Sequence, residues 1–183
     1  MARIRTRWND KQKVRSPEEV GSALGVIIWK LAGDAVVTLE NEDFAIDTYQ
    51  QRLDVIAEYC AFQLHVVDRT LHAQHSDGER ALFVSVLAKH LADTMQDNRA
   101  ELLGAGEFRA QFITLLNERC DFYAMCSFSS AEGPSFVMRR NFGDAVAAVV
   151  GERNRKWITD FVMDVQVPSM LSTLKRALPS LFG

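Results

Sequence analysis

The sequence predicts an all-α protein: an antiparallel up-and-down bundle of four long helices with two or three shorter C-terminal helices. Three observations predict this class. None of the four prolines lies within residues 18–133, and so long a stretch without proline, and without alternating polar and apolar residues, favours long helices. Helix-start signals recur about every 30 residues. Apolar residues follow those starts at the three- and four-residue spacing of one helix face.

The first predicted helix spans residues 17–39. Ser16 is placed to cap its N-terminus, a proline follows in the first turn, and Glu19 completes a capping box. Gly21 and Gly25 are four residues apart, so they lie on one face, where the lack of side chains lets another helix approach closely. We expect a tight helix crossing at this face, inside the bundle or at a subunit interface.

The second predicted helix spans residues 48–74. Its start signal is Asp47-Thr48-Tyr49-Gln50, in which Gln50 reaches back to the start of the helix as in a capping box. Apolar residues then recur every three or four positions, which predicts one continuous buried face. The face consists of Tyr49, Leu53, Ile56, Cys60, Leu64, Val67 and Leu71.

Two more long helices follow. A third capping box, from Ser76 to Glu79, starts helix 3 over residues 77–103. The Gly104-Ala105-Gly106 break separates it from helix 4, over residues 107–128. Helix 4 carries aromatic and leucine side chains around much of its circumference, which predicts that it is the central helix of the bundle.

The C-terminal third is predicted to be helical but interrupted. Residues 129–135 are rich in Ser, Gly and Pro and predict a longer connection. A helix over residues 141–165 is interrupted at Gly151. Pro168 then kinks the chain or restarts it for a last helix that stops just before Pro179.

Composition and charge are those of a globular protein. Of the 183 residues, 48% are hydrophobic and 25% are charged, and the net charge is −3, which excludes a disordered chain and a wholly basic nucleic-acid coat. An odd number of cysteines, three, is typical of free thiols in a reducing compartment. The apolar run at residues 23–29 is far shorter than the roughly 20 residues of a membrane span. We therefore expect a cytoplasmic protein with no membrane span.

Residues 1–15 form a basic arm ahead of a single helical-bundle domain at residues 16–183. The arm contains six basic residues and one acid, a net charge of +5, whereas the rest of the chain carries a net charge of −8. Such an arm can bind phosphate groups, which makes an accessory nucleic-acid contact one alternative function. Its basic residues are Arg3, Arg5, Arg7, Lys11, Lys13 and Arg15.

Histidine and acidic residues share one stripe of predicted helix 2. Glu58, His65, Asp68 and His72 recur at spacings of 7, 3 and 4, which places them beside the apolar face, offset by about 100°. With His90 on helix 3 they define a candidate site between the two helices for a divalent metal or a small ligand. The pattern matches neither the di-iron bundle motif nor His-Glu-x-x-His. No cofactor and no catalytic residue is therefore predicted, and the metal site is an alternative.

The C-terminal segment is unusually apolar for the end of a chain, so its own body or a partner must cover it. We expect part of it to form a partner-binding surface. No phosphate-loop, nucleophile-elbow or redox-cysteine motif occurs in the sequence. The leading hypothesis is a non-enzymatic helical interaction module that binds itself as a homo-oligomer or binds another protein. The partner-binding residues are Met170, Leu174, Leu178, Leu181 and Phe182.

Overall fold

The computed structural model describes residues 15–72, 74–151 and 155–182 and confirms the all-α class. Its only strands, within those residues, form one short hairpin, and a π-helical turn joins the last two helices. The elements are α1 (Pro17–Asn41), α2 (Tyr49–Leu71), α3 (Asp77–Leu103), α4 (Phe108–Ala124), β1 (Phe128–Ser129), β2 (Gly133–Pro134), α5 (Phe136–Val150), α6 (Arg155–Phe161), the π-helical turn (Val162–Gln166) and α7 (Val167–Phe182).

The first and third predicted capping boxes are confirmed. Ser16 and Glu19 each accept a hydrogen bond from the other's backbone N–H at the start of α1. Ser76 and Glu79 do the same at the start of α3. Each box satisfies two of the N–H groups that have no partner in the first turn of a helix. The starts of α1 and α3 therefore lie where the sequence predicts them.

The start of α2 lies one residue later than its predicted capping signal. The Thr48 hydroxyl accepts from the backbone N–H of Gln51, and the Gln51 side chain accepts from the backbone N–H of Asp47. Gln50, the predicted capping partner, instead donates to Asp54 one turn further on. Because Thr48 is the N-cap, the side chain that can reach back belongs to the third helical residue, Gln51.

The central helix is α2, which corrects the prediction that helix 4 is central. Helices α1, α3, α4 and α5 all pack against it, and every side chain from Val55 to Val67 is buried. Tyr49, assigned to the buried face, is exposed. Periodicity identified only the apolar stripe because it does not count polar side chains that are buried with partners, such as Gln63, which donates to the carbonyl of Ile28.

Helix α4 packs against α2 and α3 and is buried on one narrow face. Its buried side chains are Phe112, Leu116 and Tyr123, whereas Phe122 is exposed. The aromatic residues of a helix show how much apolar surface the helix has. The neighbouring helices determine how much of that surface is buried. The position of α4 in the bundle was therefore not readable from its composition.

Helix α1 crosses α3 closely at its two glycines, inside the chain. A Cβ atom on Gly21 would lie 2.7 Å from Cγ1 of Val86, and one on Gly25 would overlap the ring of His90. By length and composition alone, α1 also meets the criteria for a membrane-spanning helix, with a mean hydropathy of 1.6. In this fold its buried face packs against α2, α3 and α7.

The connection rich in Ser, Gly and Pro folds into a short antiparallel hairpin (residues 128–134). Phe128 lies opposite Pro134, and Gly133 has a φ of +84°, in the region that favours glycine. The Ser135 hydroxyl then caps α5 by accepting from a backbone N–H in its first turn. Helix α5 consequently begins before the predicted start at residue 141.

Pro168 does not restart the chain, because α6, the π-helical turn and α7 follow one another without a break. Pro168 has no N–H to donate to the carbonyl of Asp164, and its ring would collide with that carbonyl in a regular α-helix. The backbone N–H of Val167 instead donates to the carbonyl of Val162, five residues earlier. This wider turn accommodates the proline within a continuous helix.

Helix α7 also continues past Pro179, where the sequence predicts its end. Leu181, in the turn beyond the proline, is buried. Arg15 Nη1 donates to the carbonyls of Ser180 and Leu181 at 2.6 and 2.8 Å. Apolar burial and a cation at the carbonyl end of the helix both stabilise this last turn.

Candidate functional site

The five residues of the predicted metal site do not converge. Glu58 is 3% exposed, and its two carboxylate oxygens accept from Arg119 on α4. His65 lies seven residues further along α2, about 10 Å along the helix axis. In the described part of the chain, no group of three or more His, Cys, Asp and Glu side chains could hold a metal ion.

His65 is a buried, neutral histidine. It is 4% exposed, and burial, opposed by the nearby Asp68 carboxylate, lowers the pKa of His65 to about 4. The rings of His65 and Tyr123 have centroids 5.7 Å apart. Burial also raises the pKa of Tyr123, so neither group changes charge near pH 7. This pair contributes packing to the core between α2 and α4.

The three remaining predicted ligands have other neighbours. Asp68 accepts from Arg80 at 2.6 Å, across the α2–α3 connection. His72 is the exposed C-cap residue of α2. His90 is half-buried where α3 crosses Gly25. These side chains serve the packing of α1, α2 and α3 rather than one shared site.

The thiols of Cys60 and Cys120 are in surroundings that disfavour the thiolate. Burial raises the pKa of the Cys60 thiol, and burial together with two nearby carboxylates raises the pKa of Cys120 to about 11. All three cysteines are free. A nucleophilic thiol needs a lowered pKa, so the geometry around Cys60 and Cys120 does not create one.

Four of the five predicted partner-binding side chains lie in the protein's own core. The strongly one-sided apolar face of α7 packs inward, and α7 contacts α1. Phe182 is the exception at 38% exposed, and its ring lies 5.0 Å from His75 and 5.1 Å from Phe83. The four core side chains, which the chain itself covers, are Met170, Leu174, Leu178 and Leu181.

Only Arg15 of the predicted basic arm lies within the described residues. Its guanidinium binds the end of α7, so this residue belongs to the folded body rather than to a free arm. The remaining basic residues of the arm lie outside the described residues: Arg3, Arg5, Arg7, Lys11 and Lys13.

A cleft between the hairpin and α7, which we name the α7 cleft, is a concave site on the surface of the described residues. It has two adjoining parts with volumes of about 740 and 570 Å³. Both parts are bounded by Phe128 and Gly133 of the hairpin and by Leu171 and Lys175 of α7. Volumes of about 300 to 1,000 Å³ are typical of small-molecule sites.

The larger part of the cleft is basic. Arg139 from α5, Lys175 and Arg176 from α7 contribute three cations to its wall, against one acid, Glu132. Ser135 and Phe136 bring the N-terminus of α5, the positive end of the helix dipole, to the same wall. The Nε atom of Arg139 is buried and has no hydrogen-bond partner among the described residues.

The smaller part of the cleft is lined mainly by apolar side chains. They come from α2, from the hairpin and from the inner face of α7, and Ser130 of the hairpin turn lies at its wall. The apolar side chains include Val66, Leu71, Phe128, Leu174, Leu178 and Phe182.

Sequence reasoning missed this site. Arg139, Lys175 and Arg176 lie on two helices more than 30 residues apart and form no motif. The hairpin that closes the cleft was predicted to be an open connection. The only available signal was the amphipathicity of α7, which we interpreted as a surface for a partner.

The described residues form an all-α fold with an amphipathic cleft between the hairpin and α7. No family model, no curated protein and no solved structure matches the chain. The functional argument therefore rests on the geometry of the α7 cleft.

Proposed function

We propose that the protein is a non-enzymatic binding protein that holds a small molecule in the α7 cleft. The observation that carries the proposal is the continuity of the two parts of the cleft, which share Phe128, Gly133, Leu171 and Lys175. Small-molecule sites are concave and mainly apolar, with a few polar groups that orient the ligand. The α7 cleft has this composition, and the volume of each of its two parts is in the same range.

The proposal differs from the alternative sequence hypothesis, a metal or small-ligand site, in where binding occurs. The sequence placed a ligand between helices 2 and 3, where Glu58 and Asp68 instead form ion pairs with Arg119 and Arg80. Ionised side chains that already have partners gain little from a ligand. The α7 cleft instead gathers Arg139, Lys175 and Arg176, which form no ion pair with a carboxylate among the described residues. Self-association of the chain stays a separate prediction.

A neutral fluorescent dye tests the proposal. N-phenyl-1-naphthylamine is apolar and brightens when it leaves water, so titration of the protein with it measures entry into the cleft. The variant Ser130→Trp places an indole at the wall of the apolar part and should weaken dye binding at least tenfold. Ser85→Trp, at an exposed position on α3 away from the cleft, is the matched control and should bind as the wild type does.

Two outcomes would overturn the proposed function. One is a wild-type protein that does not bind the dye at protein concentrations up to about 100 µM, equivalent to less than about 5.5 kcal/mol of binding. The other is an equal affinity of Ser130→Trp and Ser85→Trp for the dye, which would place the dye outside the cleft. Circular dichroism of both variants establishes that the helices are intact.

A further inference from the structure

We infer that the ligand of the α7 cleft is an amphipathic anion, a carboxylate or phosphate group on an unbranched apolar tail. This inference rests on the proposed function and specifies the class of ligand. The basic part of the cleft takes the anionic group, and the apolar part takes the tail.

The first argument is the pairing of charges. Elsewhere in the described chain, most arginines lie within ion-pair distance of an acid, as in the pairs of Arg52, Arg80, Arg99, Arg109, Arg119 and Arg140. In contrast, no ion pair with a carboxylate is formed by Arg139, Lys175 or Arg176 within the described residues. The chain has more acidic than basic residues, with a net charge of −3, so a shortage of carboxylates does not explain the missing ion pairs. The cleft therefore gathers cations that the fold leaves available to an anion from solution.

The second argument is the position of Arg139. It lies in the first turn of α5, one residue beyond the Met138 N–H that Ser135 caps. A guanidinium in that position adds a fixed positive charge to the positive end of the helix dipole. Arg139 also lines the basic part of the cleft, where a carboxylate or phosphate group would accept charge-assisted hydrogen bonds from its guanidinium.

The third argument is the geometry of the tail site. Leu171 and Phe128 border both parts of the cleft, so a chain that leaves the basic part passes directly onto apolar surface. Lys175 lies at the same junction and its Nζ donates to the Ala131 carbonyl, which ties α7 to the hairpin. An inorganic anion would leave the apolar part empty, and a neutral apolar molecule would leave the three cations of the basic part without an anion.

Displacement of the bound dye tests the inference. Dodecanoate and dodecyl phosphate, both below their micelle concentrations, should displace N-phenyl-1-naphthylamine. Affinity along the series from hexanoate to dodecanoate should rise by up to about fourfold per methylene, the factor for complete burial of each group. Dodecyltrimethylammonium, which has the same tail and the opposite charge, should bind at least tenfold more weakly than dodecanoate.

Two matched variants locate the anionic group. Arg139→Gln should weaken dodecanoate binding roughly ten- to hundredfold, the range for loss of a charged hydrogen bond. Arg140→Gln removes the neighbouring charge, which faces Asp144 instead of the cleft, and should change dodecanoate binding by less than twofold. Lys175→Gln and Arg176→Gln should each have a smaller effect than Arg139→Gln, since water screens exposed charges.

The outcomes separate failure of the inference from failure of the proposed function. If the dye binds in the cleft but dodecanoate and dodecyltrimethylammonium displace it equally, the anion assignment is wrong and the binding function stands. Displacement by inorganic phosphate as strong as by dodecyl phosphate would overturn the tail assignment. Binding to anionic phospholipid vesicles without any binding of monomeric dodecanoate would show a membrane-surface site and overturn the inference. Absence of dye binding would contradict the proposed function itself.

Discussion

The guanidinium of Arg119 donates two hydrogen bonds to the Glu58 carboxylate, from Nε to Oε2 at 2.7 Å and from Nη2 to Oε1 at 2.6 Å. Glu58 belongs to the fully buried stretch of α2, whereas Arg119 on α4 is partly exposed. The pair therefore joins the central helix to a peripheral one and allows a carboxylate to remain charged within the core.

We predict that Arg119→Met destabilises the protein by about 3 kcal/mol, because it leaves Glu58 as a buried charge without a partner. Urea unfolding measures the loss. The double variant Glu58→Gln with Arg119→Met should recover part of the stability, and equal destabilisation by the single and double variants would contradict this account.

We predict that His65 makes the fold acid-sensitive. Its pKa is about 4 in the folded protein, compared with the ordinary value of 6.5, so the unfolded chain binds the proton more readily. The stabilisation is complete above pH 6.5 and is lost as the pH falls to 4, a change of about 3 kcal/mol. Denaturant unfolding between pH 8 and pH 4.5 measures the slope of the free energy of unfolding against pH. This slope should be smaller in His65→Leu. An unchanged slope in that variant would assign the acid sensitivity to other groups.

Two glycine-to-alanine variants should change the stability of the protein in opposite directions. A Cβ on Gly143 would lie 2.9 Å from the carbonyl oxygen of Thr159 and 3.2 Å from its Cα, both backbone atoms of α6. Gly143→Ala should therefore destabilise the protein by about 1 to 3 kcal/mol. Gly33→Ala, which meets no atom within 4 Å, should stabilise it by up to about 1 kcal/mol because alanine favours helix. Thermal and urea unfolding of both variants provide the comparison. If Gly143→Ala leaves the stability unchanged, α5 and α6 can move apart with little loss of free energy.

We predict that polar substitution in the C-terminal helix unfolds the chain. Leu174 is buried in the chain's own core, so Leu174→Asp places an unpaired charge there. Leu64→Asp on α2, also buried, should have the same effect. Circular dichroism on heating measures the loss of the cooperative transition. Either variant melting like the wild type would show that the side chain is exposed in solution.

The expected homo-oligomer requires its own measurement. Static light scattering across micromolar concentrations gives the mass, and a monomer throughout would contradict self-association. Removal of residues 1–12 should leave the number of subunits unchanged at low and high salt, because exposed charges beyond about 8 Å are largely screened at physiological ionic strength. Of the predicted partner-binding residues, only Phe182 is exposed enough to contribute to an interface, so Phe182→Ser is the variant that tests the C-terminal contact.

The sequence by itself determined the helices and two of their starts. Ser16 with Glu19, and Ser76 with Glu79, are local signals, because a side chain three residues away satisfies the N–H groups of the first turn without help from the rest of the fold. The buried position of Leu64 also followed from helical spacing. These features depend on interactions within one helix.

The tertiary structure alone decided which helix is central, which polar side chains are buried and where the α7 cleft forms. Glu58 is in the core because Arg119 reaches it from α4, 61 residues away in the chain. Pro179 lies within a helix because the last turn is buried and bound by Arg15, 165 residues distant from Ser180. The α7 cleft exists because the hairpin is held against α7 at Lys175 and Ala131. Each depends on contacts between distant segments, and such contacts leave no periodic pattern in the sequence.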